Sequence, residues 1–165
     1  EHLATALADE GFMVAALGYT LPPFALYPVP VLQTLAVARW VADGGAGPQA
    51  DAGRIALAGD SAGAQIAGQV AALVTNPRLA DAMELDPMLA PDRLRAVLLC
   101  CGLLDPGELP YPLRPFVRGL LAAYLGPDRV RSRAVLACCT AAAGRLAGRW
   151  RRNADTISGA RCTPM

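Results

Sequence analysis

Residues 54–70 read RIALAGDSAGAQIAGQV, and Ser61 is the residue there whose type and surroundings suit covalent chemistry. Gly59, Asp60, Ser61, Ala62 and Gly63 fit the pattern G-x-S-x-G. This is the nucleophile elbow, in which a strand turns sharply into a helix and holds a serine at the tip. The backbone of such a turn is strained, and side chains two positions to either side are expected to clash, so both flanks are glycine. The helix that follows directs its positive end and its free N–H groups at the reacting centre. The Ala62 N–H is the expected oxyanion donor. Context sharpens a short pattern: an apolar, strand-like run precedes it and a helical run follows. The competing reading is a serine N-cap on a tight strand-to-helix turn.

A serine hydroxyl attacks when a base takes its proton, and that base is most often histidine. The chain has one histidine, His2, and it precedes the serine. Around this elbow the chain order is serine, then acid, then histidine. His2 is therefore expected on a surface or a helix-packing face. Asp60 stands beside the serine, and we expect a structural role for it, hydrogen-bonded to backbone near the elbow or holding a neighbouring loop. Asp105 ends an apolar run, on the side where the sites of parallel sheets lie. The five cysteines include two adjacent pairs, Cys100–Cys101 and Cys138–Cys139, without the spacing of a zinc site. The first pair lies in an apolar run and is expected to be buried as reduced thiols.

These residues need elements to position them. Residues 2–10 have helical spacing and end at Gly11. FMVAALGYT (12–20) is a continuous apolar run that predicts a strand buried on both faces. LPPFALYPVP (21–30) predicts an ordered loop, and from Val31 the apolar period becomes helical through Ala42. GGAGPQADAG leads to a second strand, IALAG (55–59). The elbow helix carries Ile66, Val70, Leu73 and Val74 on one stripe, and Thr75, Asn76 and Pro77 are expected to stop it. A polar loop over 78–94 leads to a third strand in LRAVLLCCGLLD, and FVRGLLAAYLG (116–126) predicts a short amphipathic helix. Strands that alternate with helices at about forty-residue intervals argue for parallel βαβ units.

GDSAG, preceded by RIALA and followed by AQIAGQVAAL, resembles the hormone-sensitive-lipase-type branch of the α/β-hydrolase fold, a group of carboxylesterases. VAALGYTLPPFALYPVPVLQTLAVARWV is similar to the family's Y-x-L-x-P-x-x-x-x-P segment, with Tyr19, Leu21, Pro23 and Pro28 in place and Phe24 where an acid is usual. LRAVLLCCGLLD resembles the strand after the elbow helix. The likeness runs over about residues 1–126. It implies a small-molecule acyl ester as substrate, an acyl-Ser61 intermediate, and neither metal nor organic cofactor. The family's His-Gly-Gly loop is expected before Glu1, and its acid and histidine after Gly126, so Asp105 is not the expected acid. With no such histidine in the sequence, this chain alone is expected to turn over near background. The family's elbow is shared by peptidases and other acyl hydrolases, so ester against amide is left open.

The chain has 165 residues, 54% of them hydrophobic, enough for one domain with a real core. It has no lysine. Residues 1–128 hold 7 Arg and 13 acidic residues, whereas 129–165 hold 8 Arg and Asp155 alone. We read 1–128 as a partial α/β-hydrolase domain, a parallel sheet flanked by helices. We read 129–165 as a divergent basic tail, frameshifted or disordered. Its arginines match no nucleic-acid recognition motif, so no nucleic-acid partner is expected. Apolar runs are too short to span a membrane and no secretion signal shows, so the expected location is the cytoplasm. A small lid built from 106–126 is weighed against plain scaffold. Against the whole enzymatic reading stands a catalytically inactive fragment or interaction protein that retains the scaffold.

Overall fold

The computed structural model describes residues 2–102, 112 and 114–126. Helix α1 (His2–Asp9) stops at Gly11, whose φ of +87° is the left-handed conformation that ends helices. Helix α2 (Val29–Ala42) has Pro30 in its first turn, where a missing N–H breaks no helical bond. It buries Val31, Leu35, Ala38 and Ala42 along one stripe. At its far end the Asp43 N–H donates to the Arg39 carbonyl (2.9 Å), the Gly44 N–H donates to Val41 (3.0 Å), and the Arg93 guanidinium donates to Ala42. Gly45 lies under the Trp40 indole, where a Cβ has no room.

Strand β1 (Ile55–Asp60) and strand β2 (Leu94–Cys100) pair in parallel, from Ile55 opposite Leu94 to Asp60 opposite Cys100. Parallel strands need a long crossover. Here it consists of helix α3 (Ala62–Thr75), helix α4 (Pro77–Ala82) and the loop after it. α3 packs on both strands and on α2, so Ala64–Val74 are buried without a break. Leu35, Leu73, Val31 and Val70 are among the largest fully buried side chains. Burying each stabilises the fold by about 1.5–3 kcal/mol before entropy is counted. Helix α5 (Arg114–Leu125) joins this core at its C-terminal end. There the Tyr27 N–H donates to the Tyr124 carbonyl (2.9 Å), and the Tyr124 hydroxyl donates to Gln69 Oε1 (3.0 Å). The Tyr27 and Tyr124 rings meet edge to face at 5.9 Å. No helix among the described residues is long and apolar enough to cross a membrane.

Three expectations need correction. Residues 12–20 form no strand, and Phe12 and Met13 are 62% and 55% exposed. A strand exists by pairing, and among the described residues the ladder partners of β1 and β2 are each other. Along β1, Ile55 is buried while Ala56, Ala58 and Asp60 are exposed. α3 covers one face and leaves Leu98 on β2 54% exposed. The 78–94 loop begins in α4, because Pro77 acts as the start of a helix as well as the stop of the one before. Cys100 and Cys101 are exposed, not buried, since they lie at the carboxyl end of β2. The 129–165 tail and Asp105 lie outside the described residues.

Candidate active site

The carboxyl ends of β1 and β2 stand level, with Asp60 opposite Cys100, and the chain turns directly from Asp60 into α3. Ser61 makes that turn alone, with φ 52° and ψ −113°. A non-glycine residue at positive φ costs about 1–3 kcal/mol and persists where its surroundings hold it. Two backbone hydrogen bonds do so: the Ser61 N–H donates to the Cys100 carbonyl (2.8 Å), and the Gln65 N–H donates to the Ser61 carbonyl (3.1 Å). The first ties the turn to β2, the second to the first turn of α3. Sequence reasoning missed the Cys100 carbonyl, because a backbone acceptor leaves no mark on residue type.

The flanking glycines differ. A Cβ on Gly59 would run into the Gly63 carbonyl group and come within 2.6 Å of the Ala64 nitrogen. Backbone cannot step aside, so the close packing of β1 on the start of α3 requires glycine at 59. A Cβ on Gly63 meets nothing within 4 Å among the described residues, so crowding gives no reason for glycine there.

An ordinary N-cap serine has extended backbone and spends its oxygen on the helix N–H groups. Ser61 does neither: its side chain makes no capping hydrogen bond and the residue is exposed. The hydroxyl is left at the N-terminus of a 14-residue helix, where the first N–H groups, Ala62 foremost, have no intrahelical acceptor. Ala62 is exposed as well. The arrangement offers a nucleophilic oxygen beside hydrogen-bond donors and a positive dipole end, which suits attack on a carbonyl whose oxygen becomes negative.

Asp60 is exposed, and the partner expected for its carboxylate is not among the described residues. His2 lies on α1, which has no buried residue. Phe116 and Leu120 on α5 are exposed. Among the described residues no cluster of His, Cys, Asp or Glu is placed to hold a metal ion. A depression of about 210 Å³ lined by Arg39, Asp43, Met88, Leu89 and Arg93 lies at the other end of the sheet, beside the Ile55–Leu94 pair. Beside it, Asp43 accepts a hydrogen bond from Arg39 (2.6 Å), and that bond, then the Asp43 charge, raises the Arg39 pKa. The pair is exposed and contributes little to stability.

The family model described as alpha/beta hydrolase fold matches residues 1–116. Esterase LipI of Mycobacterium tuberculosis is 46% identical over 59 residues, 36% of this chain and 18% of its own length. An acetyl-hydrolase of Streptomyces hygroscopicus is 45% identical over 73 residues, 44% of this chain and 22% of its own length. A solved structure of esterase B from Lactobacillus rhamnosis with a tributyrin phosphonate superposes with a TM-score of 0.65 at 25% identity, over 77% of this chain and 40% of that one. A second structure of the same esterase, also inhibited, gives 0.68 at 24% identity over 81% and 43%. The chain therefore spans about a fifth of the curated relatives and about two fifths of the solved esterase.

Proposed function

This chain belongs to the alpha/beta hydrolase family, and from that premise we propose that it carries the nucleophile of a serine hydrolase cleaving carboxylic esters. The observation that carries the reading is the backbone of Ser61, held at φ 52° with its hydroxyl withheld from capping. The names of the relatives, an esterase and an acetyl-hydrolase, favour an ester over an amide.

In this reading the Ser61 oxygen attacks the acyl carbonyl carbon, and the Ala62 N–H donates to the oxygen as it gains negative charge. A general base takes the Ser61 hydroxyl proton and gives it to the leaving oxygen, so that collapse of the intermediate expels the alcohol and leaves the acyl group on Ser61. Gly59 lets the first turn of α3 lie against β1, and the Cys100 carbonyl fixes the Ser61 backbone. His2, ahead of the serine on an exposed helix, is not the base. The family's histidine and acid are not contributed by the described residues. Residues 129–165 stand outside the hydrolase domain in this proposal, supported by their reversed charge and by a family match that ends at 116.

The test uses the longest product of the coding locus that contains this chain, with p-nitrophenyl acetate as substrate. Ser61→Ala is expected to lower kcat by about 10⁴-fold or more. This chain alone is expected to match its own Ser61→Ala variant. An unchanged rate in the longer product's Ser61→Ala variant overturns the reading and leaves a scaffold without catalysis.

A further inference from the structure

We propose that Cys100 and Cys101 form a peroxide-reactive thiol pair beside the elbow, closing reversibly into a disulfide between adjacent residues. Both thiols are free and exposed. Cys100 stands opposite Asp60 at the carboxyl end of the sheet, and its carbonyl accepts the Ser61 N–H at 2.8 Å. Along a strand, neighbouring side chains point to opposite faces, which keeps adjacent sulfurs apart. Cys101 leaves that pattern: β2 ends at Cys100, and Cys101 has a φ of +53°. The break in alternation at an exposed thiol pair carries the proposal.

Adjacent Cα atoms stand about 3.8 Å apart, against about 4.4–6.8 Å in an ordinary disulfide. A bond between them is strained and easily reduced, the property of labile rather than structural disulfides. In the first step one thiolate attacks a peroxide oxygen, the O–O bond breaks, and a sulfenic acid and hydroxide form. Hydroxide takes up the proton that the thiol released. The second thiol then attacks the sulfenic sulfur, the S–O bond breaks, and water leaves as the S–S bond forms. Two thiols lose two electrons, and one hydrogen peroxide becomes two waters.

The ring so formed contains the peptide group between residues 100 and 101. Its carbonyl is the one that holds the Ser61 N–H. Closing the ring therefore acts directly on the hydrogen bond that ties the elbow to β2.

The experiment uses the full chain with Cys138→Ser, Cys139→Ser and Cys162→Ser, which leaves this pair alone. Hydrogen peroxide is expected to remove the mass of two hydrogens per chain, and dithiothreitol to restore it. The Ser61 amide is expected to exchange its hydrogen at least about threefold faster in the oxidised protein. Cys101→Ser is expected to abolish both changes and leave a sulfenic acid that dimedone traps. If the triple variant misfolds, the tryptic fragment 96–118 of the natural chain reports the same mass change. Oxidation that stops at sulfinic acids, or pairing only between chains, overturns the proposal. Neither readout involves ester hydrolysis, so its failure is distinct from failure of the esterase reading.

Discussion

Residues 55–75 and residues 12–20 are both strongly apolar, and the molecule treats them differently. In the first stretch β1 takes its hydrogen bonds from β2, and α3 folds back over the pair until Ala64–Val74 are buried. In the second, Phe12 and Met13 face outward, and hydrogen bonds hold the two ends: the Phe12 N–H donates to the Leu7 carbonyl (3.1 Å), and Thr20 and Gln33 exchange two hydrogen bonds of 2.9 Å. Apolar composition qualifies a segment for burial. A partner strand and a covering helix decide it. The same difference explains where strain can be kept. Ser61 holds an unfavourable backbone because bonds to Cys100 and Gln65 fix it from both sides.

The largest test of that comparison is Gly59→Ala. The added Cβ meets the Gly63 carbonyl and the Ala64 nitrogen, both backbone, so relief requires α3 to move off β1. We expect a loss of about 3 kcal/mol or more in denaturant unfolding. A loss below about 1 kcal/mol, the range of ordinary substitutions, means that the helix start yields and the comparison fails.

Ser61→Gly sharpens the same point with the opposite sign. Glycine takes positive φ without steric cost, so the strain is relieved, while its greater freedom in the unfolded chain offsets part of the gain. We expect a net stabilisation of about 1 kcal/mol, read as a higher unfolding midpoint, together with loss of the candidate nucleophile. A destabilised variant means that the hydroxyl contributes a structural interaction and that the turn is an ordinary cap after all.

Much of this was legible before the structure. β1, the turn and α3 follow from an apolar run, a G-x-S-x-G pattern and a helical stripe, all local signals that agree with one another. α2 was legible from Val31 onward for the same reason. What failed was whatever depended on partners. The 12–20 run has the composition of a buried strand, but pairing is a property of two segments and composition belongs to one. Cys100 and Cys101 read as core because of the leucines before them, yet they stand exposed where β2 ends, and a run of residue types does not say where a strand stops. Pro77 was ambiguous in a different way: the same residue ends one helix and begins another, and only the downstream contacts of Leu79 and Ala80 choose between them. At the site, glycine is needed at 59 because a Cβ there meets the Gly63 carbonyl and the Ala64 nitrogen, whereas a Cβ on Gly63 meets nothing within 4 Å among the described residues. Residue spacing cannot supply those contacts.

The smallest expected effect is the sharpest control. Phe12→Ser removes a large apolar side chain from an exposed position outside any ladder. If 12–20 contributed a buried strand, the change would cost about 3 kcal/mol or more, as aromatic truncations in cores do. With Phe12 in solvent, the unfolding midpoint should shift by less than about 0.5 kcal/mol. A loss of core size would show that this run is covered in solution, and the contrast with 55–75 would then rest on when each segment finds its partner rather than on whether it does. A shift near zero leaves the contrast as drawn: two runs of like composition, of which only the paired one can hold a strained serine in place.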